Sequence, residues 1–494
     1  MSVLESLEQS GEVLSPMVRA ALVLLEEQAA RAQERIQLLE TQVRVLSEEN
    51  ARLRERVRDL EARLGMNSQN SSKPPSSDPP QAKRGAKKSK RAKRGAPSGH
   101  PGAGRGLLPE ERVDEVVEYR PEQCRRCGLS LADAPTAGEP GRWQVIELPP
   151  VRAHVTEHRS LCCLCPSCGT RSRGRVPQAV RGSHFGPRLV AFSTMLTSRF
   201  RLSRRQLREF LSDLLDVPAP SLGSTQAFQE EVSAALLCAY QQIRDAVRSS
   251  ALAWVDETSW SLRGLSRWLW VAATKAATLF RIGRSRSARS RELLLGRDYG
   301  GVLTSDRWRA YDSHPLDERQ ICWAHLKRNL QGLADRNGPG AHLGHWGVRE
   351  TEQLFRAWHL YQRSEISRAE VRRAMVPVRM RLRRLLALGI ASEDRHARAL
   401  GRDLLRLWPA LWTFLRIEGV EPTNNRAEQA LRAPVIGRKL CFGSQSGKGL
   451  RATERLLSVT QTCRQHQRNL LSYLTEALAA HRQGLAPPAL LPAN

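Results

Sequence analysis

The strongest constraint on the fold is the order of strands and helices that the sequence predicts between residues 251 and 334. An apolar run, ALAWVDETSW, predicts a strand that ends at Asp256, and RWLWVAATKAA and TLFRIGRSRS predict two more strands. The pattern of SARSRELLLGRDY is helical, and GVLTSD predicts a strand that ends at Asp306. ICWAHLKRNLQGL then predicts a short strand that runs into a helix. The segment therefore predicts an α/β domain in which three strands precede the first helix.

This order is that of the ribonuclease-H-like fold, in which the ends of the first and fourth strands lie side by side. Asp256 and Asp306 are expected at those two ends. Turn capping would explain each aspartate alone, but two facing carboxylates among many arginines indicate a site for divalent cations. Phosphoryl transfer by a two-metal route uses ions about 3.5–4 Å apart, and Mg²⁺ (or Mn²⁺) prefers carboxylate ligands. We therefore expect a third carboxylate from a helix beside the pair.

The catalytic domain is expected to span residues 250–480 and to contain a long insertion. Residues 332–418 are rich in arginine and leucine, helical by pattern and too long for a loop. The arginines of this helical insertion could line a DNA channel, and a solvated helical face explains them equally well. Residues 481–494 are expected to form a flexible tail.

The N-terminal segment, residues 1–65, is predicted to form a leucine-zipper coiled coil. A heptad repeat places β-branched or similar residues at position a and leucine at position d: Ile36, Val43, Asn50, Val57 and Leu64 at a, and Leu39, Leu46, Leu53 and Leu60 at d. This pattern favours a parallel dimer, and a single Asn at a selects dimer and register. The alternative is one amphipathic helix packed on its own chain.

Composition indicates a nucleic-acid partner. The net charge is +28, and a polyanion is its natural counterpart, with an anionic membrane surface as the second candidate. No apolar run approaches the ~20 residues that span a bilayer, and no secretory signal is evident, so we expect a cytoplasmic protein. Residues 66–106 have the composition of a disordered basic linker, either a tether to DNA phosphates or a solvated spacer.

Residues 107–180 are predicted to form a zinc-binding ribbon. Two C-x-x-C pairs, each followed by Gly, would place four thiolates around one Zn²⁺, and they consist of Cys124 and Cys127 with Cys165 and Cys168. A redox C-x-x-C is the rival explanation, but it would need no second copy. The ligand set stays open because Cys162 also forms a C-x-x-C with Cys165, and His154 and His158 lie nearby.

Residues 186–247 predict three helices, the second capped by Ser203 and ending near Leu215, and the third starting near Gln226. Their spacing permits a DNA-binding helix-turn-helix, although helix packing without a DNA role produces the same pattern. Together the segments predict a multidomain α+β protein: coiled coil, zinc ribbon, helical region and ribonuclease-H-like core with a helical insertion.

Motifs along nearly the whole chain resemble one known family. In the C-terminal half they are DET at 256–258, SD at 305–306, CWAHLKR at 322–328, NNRAEQALR at 424–432 and GRKLCFGSQSG at 437–447. NSSKPPSSD at 70–78, the paired C-x-x-C knuckles and SRFRLSRRQLREFL precede them. The set, in this order, resembles the IS66 family of bacterial insertion-sequence transposases. The resemblance implies a DDE transposase with Asp256, Asp306 and Glu428 as its catalytic acids.

Glu428 also admits an ordinary structural explanation. Asn425 and Glu428 have the spacing of a helix capping box, which alone would account for the acid. The need for a third helical carboxylate, together with the family motif, favours metal binding by Glu428. Asn424 or Asn425 would then set the start of the helix.

The resemblance implies that the enzyme nicks the ends of the element and directs the freed 3′-hydroxyl at a target phosphate. Candidates for holding DNA phosphates are Arg307, Lys327, Arg328, Arg438 and Lys439. His325 could assist near the scissile phosphate or make a structural hydrogen bond. A dimer would suit the pairing of two element ends in the bacterial nucleoid. The resemblance also implies small accessory proteins encoded alongside.

Two other functions remain compatible with the sequence. One is a zinc-containing DNA-binding or regulatory protein whose transposase core is inactive. The other is a ribonuclease-H-like nuclease that cuts without joining. Assays with Mg²⁺ distinguish binding only, cutting only, and cutting with joining.

The heptad repeat predicts a homodimer in solution. The single chain has a mass of 55.4 kDa, so light scattering after size-exclusion chromatography should give twice that mass. A single-chain mass at every concentration of a dilution series would contradict the prediction.

Overall fold

The computed structural model describes residues 6, 9–11, 13–71, 73, 78, 106–182, 184–336 and 338–491. They form two compact units, one from within 1–82, 183–201 and 226–494, and one from within 83–182 and 202–225. The predicted linker lies largely outside the described residues. The protein is mixed α+β, as expected.

The strands of the described residues are β1 (Cys162–Leu164), β2 (Arg171–Arg173), β3 (Leu252–Leu262), β4 (Leu265–Ala273), β5 (Thr278–Gly283), β6 (Val302–Ser305) and β7 (Arg319–Ile321). The helices are α1 (Pro16–Leu64), α2 (Gln178–Arg181), α3 (Pro187–Ser198), α4 (Arg204–Leu215), α5 (Leu222–Ala235), α6 (Leu237–Arg248), α7 (Ala288–Leu295), α8 (Trp323–Ala334), α9 (Ala341–Gln362), α10 (Arg368–Ala391), α11 (Arg395–Arg406), α12 (Trp408–Leu411), α13 (Thr413–Arg416), α14 (Asn425–Cys441), α15 (Gly447–Gln465) and α16 (Leu470–Arg482).

The first unit is built on a mixed five-stranded sheet. Its strand order is β5-β4-β3-β6-β7, with β3, β4 and β5 antiparallel and β6 and β7 parallel to β3. The chain thus forms a meander of three strands and then adds two strands on the other side of β3. The first and fourth strands of this sheet, β3 and β6, are neighbours, as the predicted element order required.

Both faces of this sheet are covered, which explains its apolar strands. Ala253 and Val255 of β3 lie in a core with helices α5, α6, α7, α15 and α16. Trp254, between them, points to the opposite face, where it packs with Ala427 and Leu431 of α14. Because side chains alternate along a strand, the residues at 254 and 256 share the face covered by α14.

The insertion between β7 and α14 is helical, as predicted, and has its own core. Leucines of α8, α9, α10 and α11 fill it together with aromatic residues of the short helices α12 and α13. Gly344 allows α9 to approach α8 closely, since a Cβ there would overlap the backbone of Ala334. The expected helical insertion is therefore a packed subdomain and not a loop.

Helix α1 has two different faces in the first unit. The residues at heptad positions a and d are largely exposed, Leu39 at 51%, Leu46 at 64% and Leu53 at 54%. On another face, Asp59 accepts hydrogen bonds from Arg336 (2.7 Å) and Arg395 of the insertion. The predicted seam is thus left uncovered within a single chain, while the other face contacts the helical insertion.

The helical region contains more helices than the three predicted. Ser203 caps α4 with Gln206 in a capping box, as its position indicated. The third predicted helix begins earlier, at Leu222, because the Ser221 side chain accepts a hydrogen bond from the Ser224 N–H (3.0 Å). It is also divided into α5 and α6 at Leu236. The helix-turn-helix stays a prediction.

Residues 481–494 begin within α16, and Leu490 is buried against the core, so the described part of the expected tail packs on the first unit. Residues 492–494 lie outside the described residues. Within the described ranges, no helix has both the length and the apolar character needed to cross a bilayer.

The close contact of α8 and α9 predicts a sensitive glycine. In Gly344→Ala, the added Cβ would lie 2.8 Å from the Leu330 carbonyl oxygen and overlap the Ala334 backbone. Alanine improves helix propensity by about 1 kcal/mol, whereas overpacking costs about 1–3 kcal/mol. We expect a net loss of stability of about 1 kcal/mol in chemical denaturation.

The matched control is Gly300→Ala, whose Cβ would meet no atom within 4 Å. Its stability should stay within about 0.5 kcal/mol of the unmodified chain. Equal stability of the two variants would show that α8 and α9 are not in this close contact.

Candidate functional site

The site is organised by the parallel pairing of β3 with β6. Trp254 is opposite Thr304 in this ladder, so the same register two residues further places Asp256 opposite Asp306. Neighbouring strands are about 4.8 Å apart, and equivalent positions in parallel strands face the same side. Two carboxylates predicted to be adjacent are therefore brought to one edge of the sheet.

The prediction that Asp256 ends its strand is wrong. Strand β3 continues to Leu262 because it forms a long hairpin with β4, in which Asp256 is opposite Val271. The ladder with β6, in contrast, stops at Trp254. Asp256 thus lies where β3 loses its parallel neighbour, although the strand itself goes on.

Asp256 lies in a strongly unfavourable environment for its charge. Burial raises the pKa of this carboxyl well above its ordinary range, and the nearby carboxylates of Glu257, Asp306 and Glu428 raise it further. A hydrogen bond from the Glu257 N–H to Oδ1 (2.8 Å) opposes this shift. Acids arranged to repel one another are the expected donor set for a divalent cation.

Asp306 is held by the turn that follows β6. Its Oδ1 accepts a hydrogen bond from the Trp308 N–H (2.8 Å), and its Oδ2 lies 3.7 Å from Nη2 of Arg286. Arg286 also donates to the buried Glu257 (2.6 Å), and its guanidinium stacks over the Trp308 ring at 4.1 Å. The carboxylate of Glu257 and the ring of Trp308 therefore fix Arg286 beside Asp306.

Sequence reasoning missed Arg286 and Glu257. Glu257 was visible only as part of the DET motif, and its side chain points to the opposite face of β3 from Asp256, where Tyr311 donates a hydrogen bond to it. Arg286 lies in the loop before α7, within a run of Arg and Ser that carries no periodic signal. Only the tertiary fold brings it to the site.

Glu428 is presented by the first turn of α14. Ala427 and Leu431 of this helix pack on the sheet, which aligns α14 across β3 and β4. The Oε1 atom of Glu428 lies 3.5 Å from Nδ1 of His325 and 4.0 Å from Sγ of Cys322. Its Oε2 atom lies 3.9 Å from Nη2 of Arg328.

The capping-box explanation of Glu428 does not match the structure. Asn424 is the N-cap and Asn425 the first helical residue, which makes Glu428 the fourth residue of α14, and the Asn424 side chain makes no capping hydrogen bond. Its Nδ2 donates instead to the Val255 carbonyl (2.8 Å). This buried amide ties the start of α14 to the strand residue next to Asp256.

Within the described part of the chain, the only three potential metal ligands of the types His, Cys, Asp and Glu that approach within 4.8 Å of one another are Cys322, His325 and Glu428. Asp256, Asp306 and Glu428 do not all meet this spacing. Carboxylates that hold two ions about 3.5–4 Å apart need not all touch one another, so the three acids still fit Mg²⁺ as a donor set.

The two C-x-x-C pairs of the second unit form the same turn. In the first, the Cys124 N–H donates to the Leu129 carbonyl and the Gly128 N–H to the Cys124 carbonyl; the second repeats this between Cys165, Thr170 and Gly169. Both glycines have φ of +70°, the left-handed conformation that favours glycine. Backbone N–H groups lower the pKa of Cys124, which suits a metal thiolate.

Each turn thus fits half of a zinc site, although the two pairs are not gathered into one cluster among the described residues. Cys162 lies on β1 and is exposed, and His154 and His158 are also exposed. The structure gives none of these three residues preference as a replacement ligand.

The predicted phosphate-binding residues have different surroundings. Arg307 pairs with Asp403 of the insertion and Lys327 with Glu352 (2.8 Å), so both carry a carboxylate partner. Arg438 donates to the hydroxyl of Thr258 (3.2 Å), which places it along β3, and Lys439 is exposed. Arg328 is the one of the five that contacts Glu428.

Comparison with known proteins adds the following matches. The sequence model described as "Transposase IS66 family" matches residues 183–452, which is more than half of the chain. A family of unknown function, DUF6444, matches residues 21–106. Two proteins of Sinorhizobium fredii are similar, both named as uncharacterized: y4hP is 24% identical over 74% of this chain and 72% of its own length. For y4qI the identity is 23%, over 76% and 73%.

The raised pKa of Asp256 predicts that Asp256→Asn stabilises the fold when no divalent metal is added. Because the folded-state pKa exceeds the unfolded value, stability is lost as pH rises from about 4 towards the folded pKa, and the neutral amide escapes this loss. The variant should melt at a higher temperature than the unmodified chain, with a larger difference at pH 8 than at pH 5.

Asp298→Asn is the matched control, since Asp298 is exposed and outside the cluster. It should leave the melting temperature nearly unchanged at both pH values. A lower melting temperature for Asp256→Asn would mean that the carboxylate stabilises the fold and is not held against repulsion.

Proposed function

Because the chain belongs to the IS66 family of transposases, we propose that it cuts and joins the DNA ends of an insertion sequence at a DDE site formed by Asp256, Asp306 and Glu428. The observation that carries the proposal is the register of β3 and β6, which aligns the two aspartates. The strand order β5-β4-β3-β6-β7 supports a ribonuclease-H-like core. Helix α14 supplies the third acid from the face that Asp256 shares.

The three carboxylates would hold Mg²⁺ (or Mn²⁺). When bound, the metal supplies activation of the attacking oxygen and charge stabilisation at the leaving oxygen. The chain's own contribution is to hold the acids in place against their repulsion. Arg286 lies against the carboxylate of Asp306 and helps to hold it in place. Asn424 joins the helix that carries Glu428 to the backbone beside Asp256.

DNA phosphates are proposed to contact the cationic side chains around these acids. Arg328, Arg438 and Lys439 lie on the two helices, α8 and α14, that carry His325 and Glu428. Arg307 and Lys327 would first have to exchange their carboxylate partners for phosphates, so we assign them a secondary role. The net charge of +28 supports binding to a polyanion over a wider surface than these two helices.

Two further parts of the proposal concern assembly. Cys124, Cys127, Cys165 and Cys168 would hold one Zn²⁺ that joins the two turns of the second unit. The exposed leucines of α1 would pair with a second chain in a coiled coil, with Asn50 fixing the register. A dimer would carry two catalytic sites, one for each end of the element.

The proposal predicts that Asp256→Asn, Asp306→Asn and Glu428→Gln each lower Mg²⁺-dependent cutting and joining by about a hundredfold or more, because each removes a charged metal ligand. Binding to the same DNA should be retained, since the phosphate contacts come from other residues. The substrate is labelled DNA from the flanks of the gene, and the assay resolves nicked, joined and bound species.

Asp298→Asn again serves as the control and should cut and join like the unmodified chain. Cutting without joining in the unmodified chain would indicate a nuclease, and binding alone would indicate a regulatory protein. Full strand transfer by Asp256→Asn would overturn the assignment of the triad.

A further inference from the structure

Two potential metal ligands beside Glu428 have no part in the proposed reaction. Cys322 and His325 bring a thiol and an imidazole within 4.8 Å of the Glu428 carboxylate, and each contributes one donor atom to this group. Both belong to the CWAHLKR motif, whose chemistry the DDE triad leaves unexplained. This cluster mixes soft and hard donors, in contrast to the purely acidic triad.

The cluster is built where the starts of two helices meet. Cys322 is the N-cap of α8, His325 follows three residues later on the same face, and Glu428 lies in the first turn of α14. Two hydrogen bonds from backbone N–H groups join these helix starts: the Trp323 N–H donates to the Pro422 carbonyl (2.8 Å), and the Asn424 N–H donates to the side-chain Sγ of Cys322 (3.3 Å). The three donors are therefore positioned by the fold before any ion binds.

One buried donor atom of the cluster, Nδ1 of His325, faces Glu428 without a hydrogen bond to any described residue. The Nδ1 atom of His325 is buried and makes no hydrogen bond within the described part of the chain. It lies 3.5 Å from Oε1 of Glu428, the same oxygen that lies 4.0 Å from Sγ of Cys322, while Oε2 is the oxygen near Arg328. One carboxylate oxygen thus faces both other donors.

The spacing is close to that of a tetrahedral ion. Bond lengths of about 2.0–2.3 Å to N, O and S place the donors of a Zn²⁺ site about 3.4–3.6 Å apart. The two separations from Glu428 Oε1, 3.5 and 4.0 Å, are close to this range, and all three donor atoms lie within 4.8 Å of one another. The side chains of His325 and Glu428 are 17% and 24% exposed, which leaves one side open for entry of the ion and a fourth ligand.

The donor set selects the metal. Thiolate and imidazole favour Zn²⁺ and similar borderline-soft ions, whereas Mg²⁺ requires oxygen ligands. We propose that Cys322, His325 and Glu428 form a Zn²⁺ site that removes Glu428 from the catalytic Mg²⁺ site. Zinc bound there inhibits the enzyme, because one carboxylate cannot serve both sites in full. The inhibition rests on the proposed function of Glu428, whereas binding of the ion does not.

Binding is tested with Cd²⁺, a thiophilic analogue of Zn²⁺ whose thiolate complexes absorb in the ultraviolet. The full-length protein, freed of metal, is titrated with Cd²⁺ to saturation, and bound metal is counted after gel filtration; the C-x-x-C pairs contribute equally in every variant. We expect the unmodified chain to bind one more equivalent of metal than Cys322→Ser and to show a larger charge-transfer band.

Two further variants separate ligand loss from damage to the fold. His325→Gln keeps the buried thiol and should weaken Cd²⁺ binding about tenfold or more. Cys463→Ser replaces another buried cysteine, on α15 and outside the cluster, and should bind like the unmodified chain. If Cys322→Ser unfolds, as its circular dichroism will reveal, His325→Gln alone decides the outcome.

Inhibition is measured in the strand-transfer assay at constant Mg²⁺ with increasing Zn²⁺, relative to the zinc-free activity of each variant. The zinc concentration for half-inhibition should rise about tenfold or more in His325→Gln. Equal Cd²⁺ binding by the unmodified chain, Cys322→Ser and His325→Gln would overturn the site. Metal binding at the cluster in a protein without Mg²⁺-dependent activity would instead overturn the proposed function and leave the site intact.

Discussion

The parallel ladder between β3 and β6 is the constraint on which the rest of the site depends. It aligns Asp256 with Asp306 and ends two residues before them, so the two aspartates occupy equivalent positions just beyond the last paired residues of these two strands. Helix α14 must then cross the same face, and Ala427 is small enough to let it approach Trp254. The amide of Asn424 secures this arrangement through the Val255 carbonyl. Hydrogen bonds and packing hold the acids close together, although their mutual repulsion opposes this arrangement.

The parts of the fold that could be predicted are those with a strong local pattern. Three apolar runs gave β3, β4 and β5, and the aspartate after GVLTS marked the end of β6, because alternation and turn residues are encoded within a few positions. The continuation of β3 past Asp256 was missed, since polar residues such as Ser259 and Ser261 belong to a hairpin whose pairing is decided by β4. The break between α5 and α6 could not be predicted either, because no Gly or Pro lies at that position.

The candidate site could be predicted in its acids and in two residues beside Glu428, His325 and Arg328, and not in its other supporting residues. Spacing and family motifs indicated Asp256, Asp306 and Glu428, whereas the supporting residues depend on contacts between segments distant in sequence. Arg286 reaches Glu257 from 29 positions away and Cys322 reaches Glu428 from 106 positions away, and no periodicity encodes such pairs. Asn424 shows the same limit: its position as N-cap was anticipated, but its side chain bonds to a strand, a contact that only the packed fold determines.

The two-faced character of α1 bears on how far apart two active sites would lie. Asp59 is held by Arg336 and Arg395 on one side of the helix, and the leucine seam faces another direction. If that seam pairs in parallel with a second chain, both Asp59 contacts lie at the same end of the coiled coil. The two insertions would then flank a pair of helices whose axes are about 8–10 Å apart. Heptads added or removed before Asp59 would change the length of the coiled coil by about 10 Å each and leave the separation of the two active sites unchanged.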